Sequence, residues 1–186
     1  MENFYPIKVA GVERNLPICK ISDDLSIAAF VLFGDVELTK ASAGELLKIA
    51  PKYDILITAE AKGIPLVHEM ARQSRENKYI VARKTTKLYM KEVFTVELQS
   101  ITTQRKQNLY IDKSDAQLMN GKNVLIVDDV ISTGESLRAV EKLVKEAGGN
   151  VVGKMAILAE GDAKYRDDIM YLEHLPLINP DATPKK

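Results

Sequence analysis

The chain has 186 residues, with 26 Lys and Arg against 26 Asp and Glu, and one cysteine. This length fits a single domain, and the zero net charge excludes a general polyanion-binding surface or a basic membrane anchor, because both need an excess of basic residues. Cys19 cannot form an internal disulfide, which suits a reducing cytoplasm, and we expect it to be a small buried apolar residue. No apolar run approaches the ~20 residues that span a bilayer. We therefore expect a cytoplasmic protein that binds neither membrane nor nucleic acid.

Strand and helix patterns alternate along the middle of the chain. Short apolar runs without strict alternation are typical of strands buried on both faces of a parallel sheet, and they occupy residues 54–58, 79–82, 123–127 and 151–158. Helical spacing of apolar residues covers residues 37–50, 64–74 and 135–147, and the last helix is predicted to stop at Gly148-Gly149. This order predicts βαβ units and an open, mostly parallel α/β sheet flanked by helices, with ligands at the carboxyl ends of its strands.

Two regions depart from this alternation. Residues 83–113 form a long basic stretch, with seven Lys and Arg against three acids. Within it, residues 92–98 and 109–112 have the weak alternation of a hairpin, and a long excursion of this kind is either a functional lid or disordered. The chain from residue 160 onward is rich in proline, so we expect it to be irregular and partly frayed at residues 182–186.

The segment at residues 124–136 carries the most specific chemistry. A buried strand ends in two adjacent carboxylates, Asp128 and Asp129, and a short loop of hydroxyls with one glycine then opens a helix. Free N–H groups at a helix start bind phosphate, and carboxylates accept hydrogen bonds from sugar hydroxyls or hold water around Mg²⁺. Adjacent strand residues point to opposite faces, so Asp128 and Asp129 can act on different partners only where the strand is already bending into the loop. We therefore expect such a bend at the two aspartates. The alternative is a purely structural role, in which the segment is a solvated turn and a Ser or Thr caps the helix.

This segment resembles the phosphoribosyl-diphosphate (PRPP) binding motif of type I phosphoribosyltransferases. The resemblance implies that Asp128 and Asp129 are catalytic residues that orient the ribose, and that the loop holds the 5′-phosphate. The implied PRPP ligands are Asp128, Asp129, Ser132, Thr133, Gly134, Glu135 and Ser136. Glu135 departs from the glycine that is commoner in the family, so we expect its side chain to point to solvent while its N–H serves the ligand.

Two further segments are similar to the pyrophosphate-binding parts of this family. Residues 58–63 lie between a strand and a helix and are similar to the Glu-Ala-Arg-Gly segment of adenine phosphoribosyltransferases, although Lys62 stands where arginine is common. Residues 83–88 resemble the basic segment and flexible loop that close over pyrophosphate. The implied pyrophosphate ligands are Glu60, Ala61, Lys62, Gly63, Arg83, Lys84 and Lys87. For the last three, the alternative is a solvated charged loop.

Other roles follow only from the resemblance. After a short gap, residues 94–98 align with a Tyr-x-Leu-Glu-Tyr stretch, which places Glu97 where adenine phosphoribosyltransferases carry a glutamate implicated in proton handling. Mg²⁺ is the implied cofactor, with no direct set of protein ligands: PRPP and water would hold it, near Asp128 and Asp129. His68 and His174 have no partners at metal-ligand spacing, and we interpret both as structural.

The implied reaction is transfer of phosphoribosyl from PRPP to a purine, most closely as in adenine phosphoribosyltransferases, giving AMP and pyrophosphate. Glu160 favours adenine over xanthine, because a carboxylate accepts from an amine where a lysine would donate to an oxo group. The core would cover residues 50–160, with a hood over the base from residues 1–50 and 160–186, and the family resemblance implies a homodimer. Xanthine, hypoxanthine or guanine remain alternative bases. A non-catalytic PRPP-sensing regulator is a further alternative, although about 50 residues precede the first core strand, too few for a DNA-binding domain and a hood.

Overall fold

The computed structural model describes residues 4–99 and 106–185. Its chain begins with an antiparallel sheet of three strands, β1 (Phe4–Val9), β2 (Val12–Ser22) and β3 (Leu25–Ala28), in that order. Ala10 and Gly11 join β1 to β2 with φ values of 50° and 80°, the positive pair that suits a tight hairpin turn. The sequence patterns do not predict these three strands.

The expectation that Cys19 is buried is wrong. From Val12 to Ile18, every second residue of β2 faces inward, among them Leu16, whereas the neighbouring positions and the end of the strand, including Cys19, are exposed. Because side chains in a strand alternate between two faces, a single register places this thiol in solvent.

The predicted open parallel sheet is confirmed. It contains five strands, all pairing in parallel, in the order β10-β9-β8-β4-β5. Their bounds are Ile55–Ala59 (β4), Ile80–Ala82 (β5), Asn123–Ile131 (β8), Asn150–Glu160 (β9) and Met170–Leu175 (β10). The three predicted helices are also present as α1 (Val36–Ile49), α2 (Ile64–Gln73) and α4 (Glu135–Glu146). The apolar runs indicated these strands because the sheet is buried on both faces.

Each face of the sheet has its own core. On one side, α1, α2 and the N-terminal sheet pack with the strand residues Leu56, Leu125 and Ile157. On the other side, α4 packs with Ile57 and Ile126, together with a hairpin and a short helix described below. Both faces of the sheet are therefore covered.

The basic stretch contains the predicted hairpin. β6 (Val93–Gln99) pairs antiparallel with β7 (Lys106–Asp112), and residues 100–105 between them lie outside the described part of the chain. A short helix that the sequence analysis missed, α3 (Lys113–Met119), follows at once. The side chain of Asp112 accepts from the backbone N–H of Ser114 at 3.0 Å and so caps this helix.

The C-terminal stretch is more regular than expected, and the prediction of an irregular segment is wrong. A 3₁₀ helix (Gly161–Tyr165) leads into β10, which pairs with β9. Beyond it, Asn179 donates its N–H to the Thr183 carbonyl at 2.7 Å, so the tail forms a hydrogen-bonded turn. β10 escaped prediction because it is an edge strand whose mixed apolar and charged residues lack the pattern of the central strands.

The first and last parts of the chain meet. Ser26 of β3 and Ile178 exchange two backbone hydrogen bonds, of 2.9 and 3.0 Å. Arg14 of β2 reaches the amino end of α1, where its Nε lies 2.7 Å from Asp35 Oδ2 while Asp35 Oδ1 caps the helix through the Leu38 N–H. The N-terminal sheet is thus fixed to both the core and the C-terminal segment. No helix within residues 4–99 and 106–185 is long and apolar enough to cross a bilayer.

Candidate active site

The order of the strands defines where a ligand should bind. The chain passes from β4 outward to β5 and then returns to place β8 on the opposite side of β4. Connections therefore leave β4 and β8 in opposite directions, and such a switch point opens a crevice at the carboxyl ends of the two strands. The segments that sequence analysis singled out, at residues 60–63 and 128–136, both begin there.

β8 carries both aspartates within its length. It continues past them to Ile131, with Asp128 paired to Ala156 and Val130 to Leu158 of β9. The expectation that the strand bends into the loop at the two aspartates is therefore wrong. Both aspartates nonetheless lie close to the same neighbouring loop, Asp129 to Lys62 and Asp128 to Gly63.

Asp129 is buried, with 3% of its side chain exposed. Lys62 Nζ lies 2.8 Å from Asp129 Oδ2, yet no group within the described residues donates an aligned hydrogen bond to this oxygen. A buried carboxylate oxygen retains a strong demand for a donor. A hydroxyl or a water of a bound ligand would satisfy it.

Asp128 lies beside Gly63 of the same loop. Burial, together with the neighbouring Asp129 carboxylate, raises the pKa of Asp128, although the Asp129 N–H, which donates to Asp128 Oδ1 at 2.9 Å, and Lys62 act in the opposite direction. A cation or a pair of hydroxyl donors would stabilise the charged form of this carboxylate. Without a ligand, Lys62 and the Asp129 N–H do not fully compensate the negative charge of the two aspartates.

The loop between β4 and α2 approaches β8 closely because it contains Gly63. A Cβ atom at position 63 would overlap Thr58 Oγ1 and would lie 3.2 Å from Asp128 Oδ1. The peptide bond between Glu60 and Ala61 in the same loop is cis. Glycine at position 63 therefore allows the loop and the aspartates to share one end of the crevice.

Three predicted pyrophosphate ligands converge on Glu60. Arg83 Nη1 donates to Glu60 Oε1 at 3.2 Å, the Lys84 N–H donates to Oε2 at 3.1 Å, and Lys87 Nζ lies 3.6 Å from Oε1. Burial alone would raise the pKa of Glu60, but the Lys84 amide, Lys87 and Arg83 outweigh it and lower the pKa. The carboxylate thus gathers positive groups that would suit a diphosphate.

The hydroxyl loop after β8 forms a cavity of about 150 Å³. Its lining includes Ser132, Thr133, Gly134, Glu135 and Ser136, the predicted phosphate ligands. Gly134 begins α4 with φ +76°, and the first backbone bond of the helix runs from the Arg138 N–H to the Gly134 carbonyl. The preceding N–H groups at this helix start are the donors that suit a phosphate.

The backbone of Glu97 lies beside the second half of α4. It is on β6, and its backbone carbonyl accepts a hydrogen bond of 2.9 Å from Lys142 Nζ in the second half of α4. Lys142 is eight residues beyond Gly134, about 12 Å along the helix axis at 1.5 Å per residue. The role of Glu97 in proton handling stays a prediction.

The two histidines lie outside this site. His68 is exposed on α2, with its ring edge-on to Tyr79 at a centroid distance of 5.8 Å. His174 is half-buried on β10. Within the described residues, no group of three or more His, Cys, Asp or Glu side chains could hold a metal ion.

One basic residue beside the hydroxyl loop escaped sequence analysis. Arg166 belongs to the C-terminal segment, and its guanidinium lies against Gly134. Nothing in the spacing of the sequence signals this contact, because it depends on how the connection between β9 and β10 folds back over the start of α4.

The profile of the phosphoribosyl transferase domain matches residues 36–181. That range contains the parallel sheet, the aspartate pair, both loops and the basic segment. The chain belongs to the phosphoribosyl transferase domain family, and the resemblance seen in the motif is confirmed.

Relatives within this family have different names. The chain is 32% identical to a hypoxanthine/guanine phosphoribosyltransferase of Methanococcus voltae, over 82% of this chain and 74% of that protein. It is 30% identical to an adenine phosphoribosyltransferase of Rhodococcus jostii, over 68% of this chain and 69% of that protein. Sequence likeness alone therefore does not select one base.

Solved structures show the same fold. The adenine phosphoribosyltransferase of Thermoanaerobacter pseudethanolicus superposes with a TM-score of 0.62, covering 92% of this chain and 95% of that chain at 23% identity. The expected type I phosphoribosyltransferase fold is thereby confirmed.

Proposed function

We propose that this protein transfers the 5-phosphoribosyl group of PRPP to a purine, with adenine preferred, and releases pyrophosphate. One observation carries the proposal: the loop of residues 60–63 contacts the aspartate pair through Lys62 and the basic segment through Glu60. Groups suited to a ribose and groups suited to a diphosphate therefore adjoin each other at the switch point.

The chemistry needs positioning and charge stabilisation rather than a protein nucleophile. A purine nitrogen attacks C1 of the ribose while the bond from C1 to the pyrophosphate oxygen breaks, so positive charge develops on the sugar and negative charge on the leaving group. Asp128 and Asp129 would accept hydrogen bonds from the ribose hydroxyls and offset the positive charge. Lys62, Arg83, Lys84 and Lys87 would neutralise the departing pyrophosphate, and residues 132–136 would hold the 5′-phosphate.

Mg²⁺ fits this site as a cofactor bound mostly by the substrate. The buried Oδ2 of Asp129 has no aligned donor within the described residues, and the crevice offers two carboxylates rather than a complete protein cage. This is the donor set that Mg²⁺ uses when it keeps several waters and binds substrate phosphates. When bound, the ion would help to neutralise the pyrophosphate.

Glu160 supports adenine as the preferred base. It ends β9, the strand next to β8, and its half-buried carboxylate has no hydrogen-bond or ion-pair partner in the described part of the chain. A carboxylate acceptor complements the exocyclic amine of adenine and repels the 6-oxo group of hypoxanthine.

Hypoxanthine or guanine is the second candidate, because the Methanococcus voltae relative bears that name. Guanine also carries an amine that a carboxylate could accept from. Adenine carries an amino group at position 6, whereas hypoxanthine and guanine carry an oxo group there. Glu160 would distinguish the two groups by accepting a hydrogen bond from the amine.

We also propose that the N-terminal sheet and the C-terminal segment together form the hood over the base. The Ser26 and Ile178 hydrogen bonds support this, since they join the two segments into one layer. A homodimer is part of the proposal, and exposed apolar side chains at Val31, Phe33 and Val36 support self-association. Sedimentation equilibrium would test the dimer.

The deciding experiment measures pyrophosphate release with Mg²⁺, PRPP and one base at a time. We expect turnover with adenine to exceed that with hypoxanthine, guanine or xanthine. Glu160→Gln should retain part of the adenine activity, and Glu160→Lys should lower it while raising turnover of 6-oxopurines. Higher activity of the wild type with hypoxanthine than with adenine would overturn the base preference, and no turnover with any base, combined with PRPP binding, would favour a regulator.

A further inference from the structure

Arg166 lies directly beside the loop that is proposed to hold the 5′-phosphate. A Cβ atom placed on Gly134 would be 3.4 Å from Arg166 Cζ and would overlap Nη1. Gly134 is the N-cap of α4, directly before its first residue. The guanidinium therefore lies against the backbone of the residue that precedes the helix.

Asp168 fixes the orientation of this guanidinium. Arg166 Nε donates to Asp168 Oδ1 at 2.9 Å and Nη2 donates to Oδ2 at 2.8 Å, a two-bond arrangement that holds the planar group. Lys154 Nζ also donates to Asp168 Oδ2, at 2.6 Å, and Lys154 in turn contacts Glu141 at 3.2 Å. Arg166 and Lys154 hold the pKa of Asp168 well below its usual range, so the carboxylate stays charged.

This arrangement leaves one edge of Arg166 toward the loop. With Nε and Nη2 bonded to Asp168, Nη1 is the nitrogen against Gly134, and it has no acceptor within residues 4–99 and 106–185. Only about a quarter of the side chain is exposed, at 26%. An oriented and partly desolvated N–H donor beside the loop suits an anionic ligand.

The cavity itself lacks positive side chains. Its nine lining residues include the acids Asp128 and Glu135 and contain neither Lys nor Arg. The nearby Lys62 is engaged with Asp129. In this cavity a phosphate dianion would accept hydrogen bonds from backbone N–H groups. It would also meet the partial positive charge of the helix end, which is roughly half a unit charge. A full positive charge beside the phosphate would therefore come from a residue outside the lining.

We propose that Arg166 binds the 5′-phosphate of PRPP and of the nucleotide product through Nη1, and that Asp168 and Lys154 are positioning residues for it. This inference rests on the proposed function, since it assigns a further ligand to the same site. It makes the C-terminal segment part of the phosphate site as well as part of the hood.

The test compares two probes that occupy different halves of the site. Isothermal titration with ribose 5-phosphate reports on the phosphate loop, and titration with pyrophosphate in the presence of Mg²⁺ reports on the basic segment. Arg166→Gln should bind ribose 5-phosphate about 10–100-fold more weakly, the effect of losing a hydrogen bond to a charged group. Its pyrophosphate affinity should change less than twofold, and Arg166→Lys should recover part of the loss.

Arg138→Gln is the matched control, because Arg138 is an exposed arginine on the first turns of the same helix. It removes the same charge close to the loop and keeps the backbone N–H that donates to the Gly134 carbonyl, so ribose 5-phosphate binding should change little. Asp168→Asn should give a loss smaller than that of Arg166→Gln, because the guanidinium remains while its orientation loosens. If Arg166→Gln fails to fold, Arg166→Lys carries the comparison, with a selective loss for ribose 5-phosphate expected.

Two results would overturn the assignment of Arg166. One is wild-type affinity of the folded Arg166 variant for ribose 5-phosphate, and the other is an equal loss for ribose 5-phosphate and pyrophosphate, which would indicate a structural role. A wild-type protein that binds neither probe would instead contradict the proposed function, and the inference with it.

Discussion

Lys62, in the loop after β4, and Asp129 of β8 form an ion pair, with Nζ 2.8 Å from Oδ2. The carboxylate is buried, whereas 48% of the lysine side chain is exposed. The lysine therefore stands at the mouth of the crevice as the counter-charge of an acid that water does not reach. A substrate with hydroxyls and phosphates would compete for both partners.

Removing this lysine should destabilise the protein. In Lys62→Met, Asp129 keeps a buried charge without compensation, and we expect a loss of about 1–3 kcal/mol in the free energy of unfolding, less than for a fully buried pair because Lys62 is half exposed. Urea denaturation near pH 7 measures it. Lys48→Met, which breaks an exposed pair with Glu45 on α1, should cost less than about 1 kcal/mol. Equal losses in both variants would contradict the importance of the buried acid.

Asp128→Asn should make the protein more stable near pH 8 and less active. Because burial and Asp129 raise the pKa of Asp128 above its unfolded value, the folded protein binds a proton that the unfolded chain releases, so this group's contribution to stability falls as pH rises from about 4 through the raised pKa. The pKa of Asp128 rises to about 7, which at 1.36 kcal/mol per pKa unit corresponds to about 4 kcal/mol. We therefore expect the variant to be more stable than the wild type near pH 8, by up to about this amount.

The same variant should lose about 10²-fold or more in phosphoribosyl transfer, since it removes a charge that opposes the cation in the transition state. Thermal unfolding measured near pH 8 and near pH 4 checks the stability, and the difference from the wild type should shrink at the lower pH. A variant that is less stable than the wild type near pH 8 would show that burial and Asp129 do not destabilise the charged form of Asp128.

Gly63→Ala should displace the loop from the aspartates. The added methyl group would overlap Thr58 Oγ1 and approach Asp128, so we expect lower stability, by about 1–3 kcal/mol as for other overpacked sites, and weaker PRPP binding. The double variant Thr58→Ala/Gly63→Ala opens the space that the methyl group needs and should recover part of both losses. Unchanged PRPP affinity in Gly63→Ala would mean that the close approach is not required for binding.

Glu60→Gln tests whether that carboxylate competes with pyrophosphate for the basic segment. The amide keeps one oxygen, which can accept from either Arg83 or the Lys84 N–H, whereas these donors use two different oxygens of Glu60. Because its negative charge is also gone, we expect several-fold tighter pyrophosphate binding, within the range of about 1 kcal/mol for a partly exposed charge. Titration calorimetry measures it. Glu92→Gln, which neutralises an exposed acid paired with Lys113, should leave the affinity unchanged. Weaker binding in Glu60→Gln would instead make Glu60 an organiser of the site.

Much of the fold was readable from the sequence, because its central strands are apolar on both faces and its helices end at recognisable residues. Gly148 ends α4 with φ +80°, and the Gly149 N–H donates to the Val144 carbonyl as a C-cap requires. The hairpin followed from alternation in the same way. These features depend on neighbours in the chain, which is what a sequence pattern records.

The unpredicted parts depend on distant partners. β10 exists because β9 offers it an edge, and Cys19 is exposed because pairing of β2 with β3 fixes which face looks outward. In the site, the motif at residues 128–136 was specific enough to identify the family. The contact between Arg166 and Gly134 joins residues from different connections, and no local pattern encodes it.

The backbone bonds between Ser26 and Ile178 have a consequence for how the protein folds. Contacts between residues so far apart in sequence form late, since the loop that separates them must close first. The parallel sheet can assemble before them from nearer neighbours. The layer that these bonds join, which is the proposed hood, should therefore be the last part to become ordered during refolding, and hydrogen exchange should protect the amides of Leu56 and Leu125 earlier than the amide of Ser26.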